Sequence, residues 1–162
     1  DGKIYDAYVI YPQSHTNEVT FVEYFVYQIM PDILENKCGY KLCVYGRDIY
    51  PGEDTANAIE KKMQKSRRLI ILLTQQLINC EEHAYDQHIA LYNALIQNDV
   101  KVILLEMETI GSYEKLQESL RFIIKQQGTV KWKEKHTVHP QSSNSKFWKQ
   151  VRYHMPLRLR SS

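Results

Sequence analysis

Glycine, proline and long apolar runs are scarce in this sequence, and each shortage excludes a class of structure. Six glycines and five prolines in 162 residues are too few for a collagen-like or low-complexity chain. The longest apolar runs, such as Leu69 to Leu73, are far shorter than the roughly 20 residues of a membrane span. No secretory signal pattern is visible either. We expect one soluble globular domain, and the start at Asp1, without a Met, suggests a piece of a longer protein.

Metal-binding and disulfide patterns are also missing. The cysteines are odd in number and lack CxxC spacing, which argues against a disulfide framework and a zinc site: Cys38, Cys43 and Cys80. Among six histidines, His83 and His88 are five residues apart, a spacing that does not place two ligands on one helix face. His136 and His139 lie in a loop pattern. We expect no metal, no cofactor and a reducing compartment.

The sequence has no motif that cradles a phosphate or activates a serine. GxGxxG, GxxxxGK[ST] and GxSxG are all absent. A bacterial receiver domain would need carboxylates after the first strand and a phosphate-accepting Asp after the third. Those places hold Tyr11-Pro12 and Thr74-Gln75. Nucleotide binding through a Gly-rich loop, hydrolase chemistry and phosphoryl relay are therefore not expected.

Strand and helix patterns alternate along the whole chain. Short apolar segments predict strands over residues 4–11, 41–45, 69–74, 100–106 and 129–132. Apolar residues at helical spacing predict helices over 18–35, 54–65, 84–97, around 116–124 and over 145–155. Pro31 is expected to kink the first helix or break its last turn, and Gly39 to end it with a positive φ. The order predicts a parallel sheet covered by helices on both faces.

Charge is unevenly distributed. From Lys131 onward there are eight basic residues and one acidic residue, Glu134, whereas the first 130 residues carry 13 basic and 18 acidic groups. Two explanations fit this pattern. The basic end could favour an acidic partner or a membrane surface, or it could be the ordinary solvated face of a last helix and its flank.

The stretch "GYKLCVYGRDIYPGED", residues 39–54, begins as a strand and continues as an unusual loop. Pro51 and Gly52 suit the centre of a type II turn, which predicts a projecting, semi-rigid loop. Ile49 and Tyr50 are expected to be exposed near its tip and to supply apolar contact area. Arg47 has the chemistry for paired hydrogen bonds to carboxylates across an interface. Alternatively, Arg47 and Asp48 pair locally and hold the shape of the loop.

Three quoted segments carry a family resemblance. "YDAYVIYP" at 5–12, "GYKLCVYGRDIYPGED" at 39–54 and "FWK" at 147–149 resemble the three sequence boxes of Toll/interleukin-1 receptor (TIR) domains. The segments "DGKIYDAY" at the start, "KSRRLIILL" at 65–73, "ALYNALIQ" at 90–97 and "FWKQVRYHMP" at 147–156 are similar to the interleukin-1 receptor family in particular. The resemblance covers nearly the whole chain.

The resemblance implies a fold and a function. The fold is the three-layer flavodoxin-like α/β fold, a five-stranded parallel sheet in the order 2-1-3-4-5, with the TIR domain at 1–156 and a basic flank at 157–162. The function is signalling on the cytoplasmic face of the plasma membrane, in a single-pass type I receptor of innate immunity and inflammation. Signalling would proceed by TIR–TIR association with an accessory receptor chain and with the myeloid differentiation primary-response adaptor, towards NF-κB and MAP kinases. No nucleic acid is implied.

The resemblance also assigns residues to roles. The partner-binding loop would comprise Arg47, Asp48, Ile49, Tyr50, Pro51, Gly52 and Glu53. Mainly structural roles fall on Asp6, Phe147 and Trp148.

Two other functions within this family stay open at this point. Some TIR domains cleave NAD with a glutamate near the start of the helix after the third strand, and that place falls at His88, with Asp86 and Gln87 beside it. A histidine is a poor substitute for a carboxylate that must stabilise developing positive charge. The other alternative is a membrane-surface adaptor acting through the basic tail, although the tail lacks an amphipathic basic helix with bulky apolar anchors.

Overall fold

Five parallel strands form one sheet at the centre of the molecule. The computed structural model describes residues 2–13, 18–49, 55–79 and 100–157. The strands are β1 (Tyr5–Ile10), β2 (Leu42–Val44), β3 (Ser66–Leu73), β4 (Lys101–Glu106) and β5 (Val130–Lys131). Their order in the sheet is β2-β1-β3-β4-β5. The predicted parallel sheet and its 2-1-3-4-5 order are confirmed.

Helices cover both faces of this sheet. The first helix, α1, starts with an α-helical turn at Phe21–Tyr24 and continues through π-type stretches at Phe25–Ile29 and Pro31–Lys37. The others are α2 (Thr55–Gln64), α3 (Gln75–Asn79), α4 (Glu118–Gln127) and α5 (Lys146–His154), with a 3-10 turn at Glu134–Thr137. Neither α3 nor the 3-10 turn was predicted, because segments of four or five residues show no helical period. The helix predicted for 84–97 lies outside the described residues.

The central strands β3 and β4 are apolar without alternation because both of their faces are buried. Side chains of β3 alternate between two apolar clusters: Ile70 and Leu72 pack with α1 and α5, whereas Leu69 and Ile71 pack with α2, α3 and α4. β4 divides its side chains in the same way. The sheet therefore separates two cores and fixes the position of every loop at its edges.

Pro31 does not end the first helix, which continues to Lys37. A proline lacks the N–H of a helical hydrogen bond and crowds the preceding turn. The wider π-type turns around it give the ring more room than an α-helical turn would. Of the two outcomes predicted for Pro31, a kink or a broken last turn, the broken turn is wrong. Gly39 follows with φ 76° and its N–H bonds to the Glu35 carbonyl at 2.9 Å, so its predicted positive φ is confirmed.

Aromatic side chains fasten α5 to the sheet. Trp148 is fully buried and stacks on Phe25, with ring centroids 5.6 Å apart and planes inclined by 8°. Phe147 meets Trp148 and Trp132 edge to face at 4.9 Å. The Trp148 indole N–H also donates to the Pro140 carbonyl oxygen at 2.9 Å. The two aromatics of the third sequence box are thus parts of the core.

Candidate functional site

A tight turn over residues 45–49 follows β2 and leads into the predicted partner-binding loop. The backbone N–H groups of Arg47 and Asp48 both donate to the Val44 carbonyl oxygen, at 3.1 and 2.8 Å. The Gly46 N–H donates to the Ile49 carbonyl at 2.9 Å, and Tyr45 forms a parallel bridge with Ile49. The base of the loop is therefore held by its own backbone.

Arg47 is the centre of an ionic network inside this turn. Its Nη1 and Nη2 donate to the two carboxylate oxygens of Glu35, at 2.5 and 3.1 Å. Nη2 and Nε also donate to Asp48 Oδ2, at 2.9 and 3.1 Å, and Nη2 reaches the Leu42 carbonyl at 3.0 Å. Asp48 Oδ2 further accepts the Val44 N–H at 2.8 Å. Of the two explanations for Arg47 and Asp48, local pairing is the one these contacts favour.

The network stabilises the charged form of the Arg47 guanidinium. Burial by itself lowers the pKa of Arg47, but the hydrogen bonds and charges of Glu35 and Asp48 outweigh burial and raise it overall. The Arg47 side chain is only a third exposed, and its guanidinium donors are directed at groups of the same domain. It follows that Arg47 ties the turn to the end of α1.

Two tyrosine hydroxyls secure the start of the turn. Tyr11 and Tyr27 both donate to the Tyr45 carbonyl oxygen, at 2.8 and 2.9 Å, and their hydroxyl oxygens contact each other. Burial, then the bond with Tyr27, raises the pKa of Tyr11. Gly46 has φ 90°, and a Cβ there would collide with the Tyr27 hydroxyl. Only glycine satisfies both the backbone angle and the space at this position.

Ile49 is buried, with 3% of its surface exposed, so the expectation that it is exposed near the tip of the loop is wrong. It belongs to the apolar cluster that contains Tyr8, Ile10 and Cys43. The bridge with Tyr45 turns the backbone back alongside the strand and directs this side chain inward. Ile49 therefore anchors the turn on the opposite side from Arg47.

Some of the predicted site residues fall outside the described ranges. Tyr50, Pro51, Gly52 and Glu53 lie outside the described residues, as do Asp86 and His88. In the described ranges, no group of three or more His, Cys, Asp or Glu side chains is arranged to hold a metal ion.

Asp6, the residue singled out in the first sequence box, connects three strands. Its Oδ2 accepts the backbone N–H of Lys41, just before β2, at 2.8 Å. Its Oδ1 lies 3.7 Å from Nη1 of Arg67 on β3. Asp6 thus joins the starts of β1, β2 and β3, at the edge of the sheet opposite the 45–49 turn.

Sequence reasoning missed the supports of the loop. Glu35, Tyr11 and Tyr27 were not singled out, yet they make the contacts that position Tyr45 and Arg47. Tyr27 and Glu35 lie on α1 and Tyr11 follows β1, at sequence separations of 12 to 34 residues from the groups they contact. No local pattern signals such a contact, because only the fold brings these segments together.

The geometry of strands, turn and aromatic core agrees with one family. A family model described as TIR domain matches residues 7–162.

The chain belongs to the TIR domain family.

This TIR domain is 54% identical over 165 residues to interleukin-1 receptor-like 1 of Homo sapiens, an alignment that covers 97% of this chain and 30% of that protein. It is 45% identical over 164 residues to interleukin-1 receptor type 1 of Homo sapiens, covering 99% and 29%. The segments at 31–48 and 94–108 also predict a likeness to the interleukin-33 receptor chain, interleukin-1 receptor-like 1, with the interleukin-1 type 1 and interleukin-36 receptor chains as alternatives. The likeness to interleukin-1 receptor-like 1 is confirmed. The TIR domain spans about 30% of the length of these relatives.

A solved structure shows the same fold at low identity. The TIR domain of the Toll-related receptor TRR-2 from Hydra magnipapillata aligns with a TM-score of 0.59 and 17% identity, covering 93% of this chain and 97% of that one.

Receptor TIR domains associate with one another in general. The alignments with the interleukin-1 receptor chains cover only the TIR portion of those receptors. None of the helices in the described ranges combines the length and apolarity needed to cross a bilayer.

Proposed function

We propose that this TIR domain is the cytoplasmic signalling domain of a cytokine receptor, in a single-pass chain at the plasma membrane. It acts by associating with the TIR domain of an accessory receptor chain and with the myeloid differentiation primary-response adaptor, which leads to NF-κB and MAP kinase activation. The observation that carries the proposal is the 54% and 45% identity to two interleukin-1 receptor chains over nearly the whole domain.

We assign different tasks to the two parts of the 47–53 loop. Arg47, Asp48 and Ile49 are engaged within the domain, by ionic contacts on one side and by apolar packing on the other. They support the loop from its base. Partner recognition falls to Tyr50, Pro51, Gly52 and Glu53, whose aromatic, turn-forming and acidic chemistry suits a small, specific contact.

Contacts that hold the base of the 47–53 loop reduce the loss of conformational entropy on binding. A loop whose first residues are already ordered loses less conformational freedom on docking than a free segment does. The proposal therefore separates two kinds of variant. A substitution at 50–53 should weaken binding and leave stability unchanged, whereas a substitution at Arg47 should lower stability as well.

The test is an NMR titration of this labelled domain with the accessory-chain TIR domain. We expect saturable shift changes centred on residues 47–53 in the wild type and their loss in a Tyr50→Ala, Pro51→Ala variant. The matched control is Phe122→Ala, which removes an aromatic ring that is 62% exposed on α4 and should leave the titration unchanged. If the loop variant binds as the wild type does and the shift changes lie outside residues 47–53, the interface is on another face of the domain.

A further inference from the structure

Exposed lysines gather at the edge of the sheet where the strands begin. Lys41 precedes β2, Lys65 precedes β3 and Lys101 opens β4, and all three are exposed. Because the strands run parallel, their first residues share one edge. β2 and β4 are separated by three strand spacings of about 4.8 Å each. The lysines therefore span the width of the sheet instead of forming a single point of charge.

The helices add basic residues to the same edge, because they return antiparallel to the strands. The last turns of α2, α4 and α5 carry Lys61, Lys62, Lys125, Arg152 and His154. Two contacts fix the ends of α4 and α5 near the strand starts: Gln127 Nε2 donates to the Val102 carbonyl at 2.8 Å, and Arg68 Nε donates to the His154 carbonyl at 2.9 Å. We call this surface the basic edge, defined by Lys41, Lys65 and Lys101 and these helix ends.

The basic edge has little internal neutralisation. The carboxylates of Asp6 and Glu35 lie beside the strand starts, and both are engaged. Asp6 is held by the Lys41 backbone N–H and by Arg67, and Glu35 by the Leu42 N–H and by Arg47. Within the described ranges, none of the side chains of Lys41, Lys65 and Lys101 forms an ion pair; Lys41 lies over the Tyr5 ring, 5.4 Å from its centroid. The three ammonium groups thus remain available to an external anionic surface.

Both described ends of the domain meet this edge. Gly2 to Ile4 lead directly into β1, and the chain leaves α5 beside the start of β3. Beyond α5, Leu157 is fully exposed. If the domain follows a membrane-spanning segment, as the proposed function states and on which this step rests, the basic edge is the one that faces the bilayer.

We propose that the basic edge binds the anionic phospholipid headgroups of the cytoplasmic leaflet. That leaflet carries a negative surface potential that attracts basic groups within about a Debye length. Lysines spread across the width of the sheet suit an extended anionic surface better than they suit a compact acidic peptide. Binding there directs the opposite edge, which holds the 45–49 turn, towards the cytosol and its partners.

The test measures binding of the domain to phosphatidylcholine vesicles prepared with and without phosphatidylserine. We compare Lys41→Gln, Lys65→Gln, Lys101→Gln with the charge-matched variant Lys131→Gln, Lys133→Gln, Lys135→Gln. Its exposed lysines begin beside Glu106, at the opposite end of β4. Each lysine near an anionic surface contributes about fivefold in binding, so the first variant should lose about a hundredfold. The second should bind phosphatidylserine vesicles like the wild type.

Three results would overturn the proposal. The first is that the wild type does not bind phosphatidylserine vesicles, and the second is that both variants lose binding equally. The third is binding to polyglutamate without binding to vesicles, which would indicate that the basic edge binds an acidic protein. The partner titration, run without lipid, is a separate readout, and the basic-edge variant should still give its shifts. If the wild-type domain binds the vesicles but shows no shift changes with the accessory-chain TIR domain, the result contradicts the proposed function and not the lipid binding.

Discussion

Arg47 and Glu35 face each other with two nitrogens against two oxygens, at 2.5 and 3.1 Å. Arg47 stands in the turn after β2, and Glu35 stands in the last turn of α1. The pair joins the candidate recognition loop to the first helix, so the position of the loop depends on a contact between two elements.

Arg47→Ala should therefore lower the stability of the domain. The substitution leaves the Glu35 carboxylate, whose side chain is 24% exposed, without its arginine partner. It also removes the hydrogen bonds that Arg47 donates to Asp48. Allowing for solvent screening of these part-exposed groups, we expect a loss of about 1–2 kcal/mol in the free energy of unfolding. Urea unfolding of Arg47→Ala beside Lys61→Ala, an exposed cation on α2, measures it. Equal midpoints for both variants would show that the pair contributes nothing.

Gly46→Ala should be destabilising for two separable reasons. The positive φ of 90° costs about 1–3 kcal/mol for a residue with a Cβ, and that Cβ meets the Tyr27 hydroxyl. Adding Tyr27→Phe should recover part of the loss, because it removes the colliding oxygen. Gly128 has φ 75° and no neighbouring atom within 4 Å of the place that a Cβ would occupy, so Tyr27→Phe should recover none of the loss from Gly128→Ala. Equal coupling of Tyr27→Phe to Gly46→Ala and to Gly128→Ala, measured in double-mutant cycles, would contradict the predicted collision.

Trp148→Ala should cost about 3–5 kcal/mol, the usual range for deleting a large buried aromatic side chain. Trp148→Phe retains a ring against Phe25 but loses the hydrogen bond to the Pro140 carbonyl, so it should cost less. Tyr153→Ala is the control on the same helix, since its side chain is 85% exposed. Thermal unfolding orders the three variants, and an intact transition for Trp148→Ala would contradict its place in the core.

The stability of the domain should fall in alkaline solution, partly through Cys43. Burial raises the pKa of its thiol to about 12, the Asp48 charge adds to this, and Lys62 and Arg47 oppose it. The unfolded thiol has its ordinary pKa near 9.0, so between pH 9 and 12 only the unfolded state releases the proton. Stability from this group is complete below pH 9 and declines by up to about 1.4 kcal/mol per pH unit above it. Chemical denaturation from pH 8 to 10.5 should show a shallower decline in Cys43→Ala, and identical slopes would rule the thiol out.

The sequence predicted best where burial is uniform. The continuous apolar runs located β3 and β4 and, with the alternating helices, predicted the parallel sheet. The run starts at Leu69, however, whereas β3 begins at Ser66, because its first three residues are polar. Ile49 was misjudged because an apolar residue after a strand gives no sign of its direction until the Tyr45 bridge turns the backbone. The sequence could not decide between an interface role and local pairing for Arg47, for a similar reason. Its partner Glu35 lies 12 residues away, and only the packing of α1 beside β2 brings the two charges together.

The two outermost strands are very short: β2 has three residues and β5 has two. A neighbouring chain that tried to continue the sheet would find only a few backbone groups on either side, too few for a stable ladder. Short outer strands of this kind are a known protection against uncontrolled strand pairing and aggregation. The sheet thus offers little backbone to another chain, and the surface left for contacts consists mainly of side chains and loops.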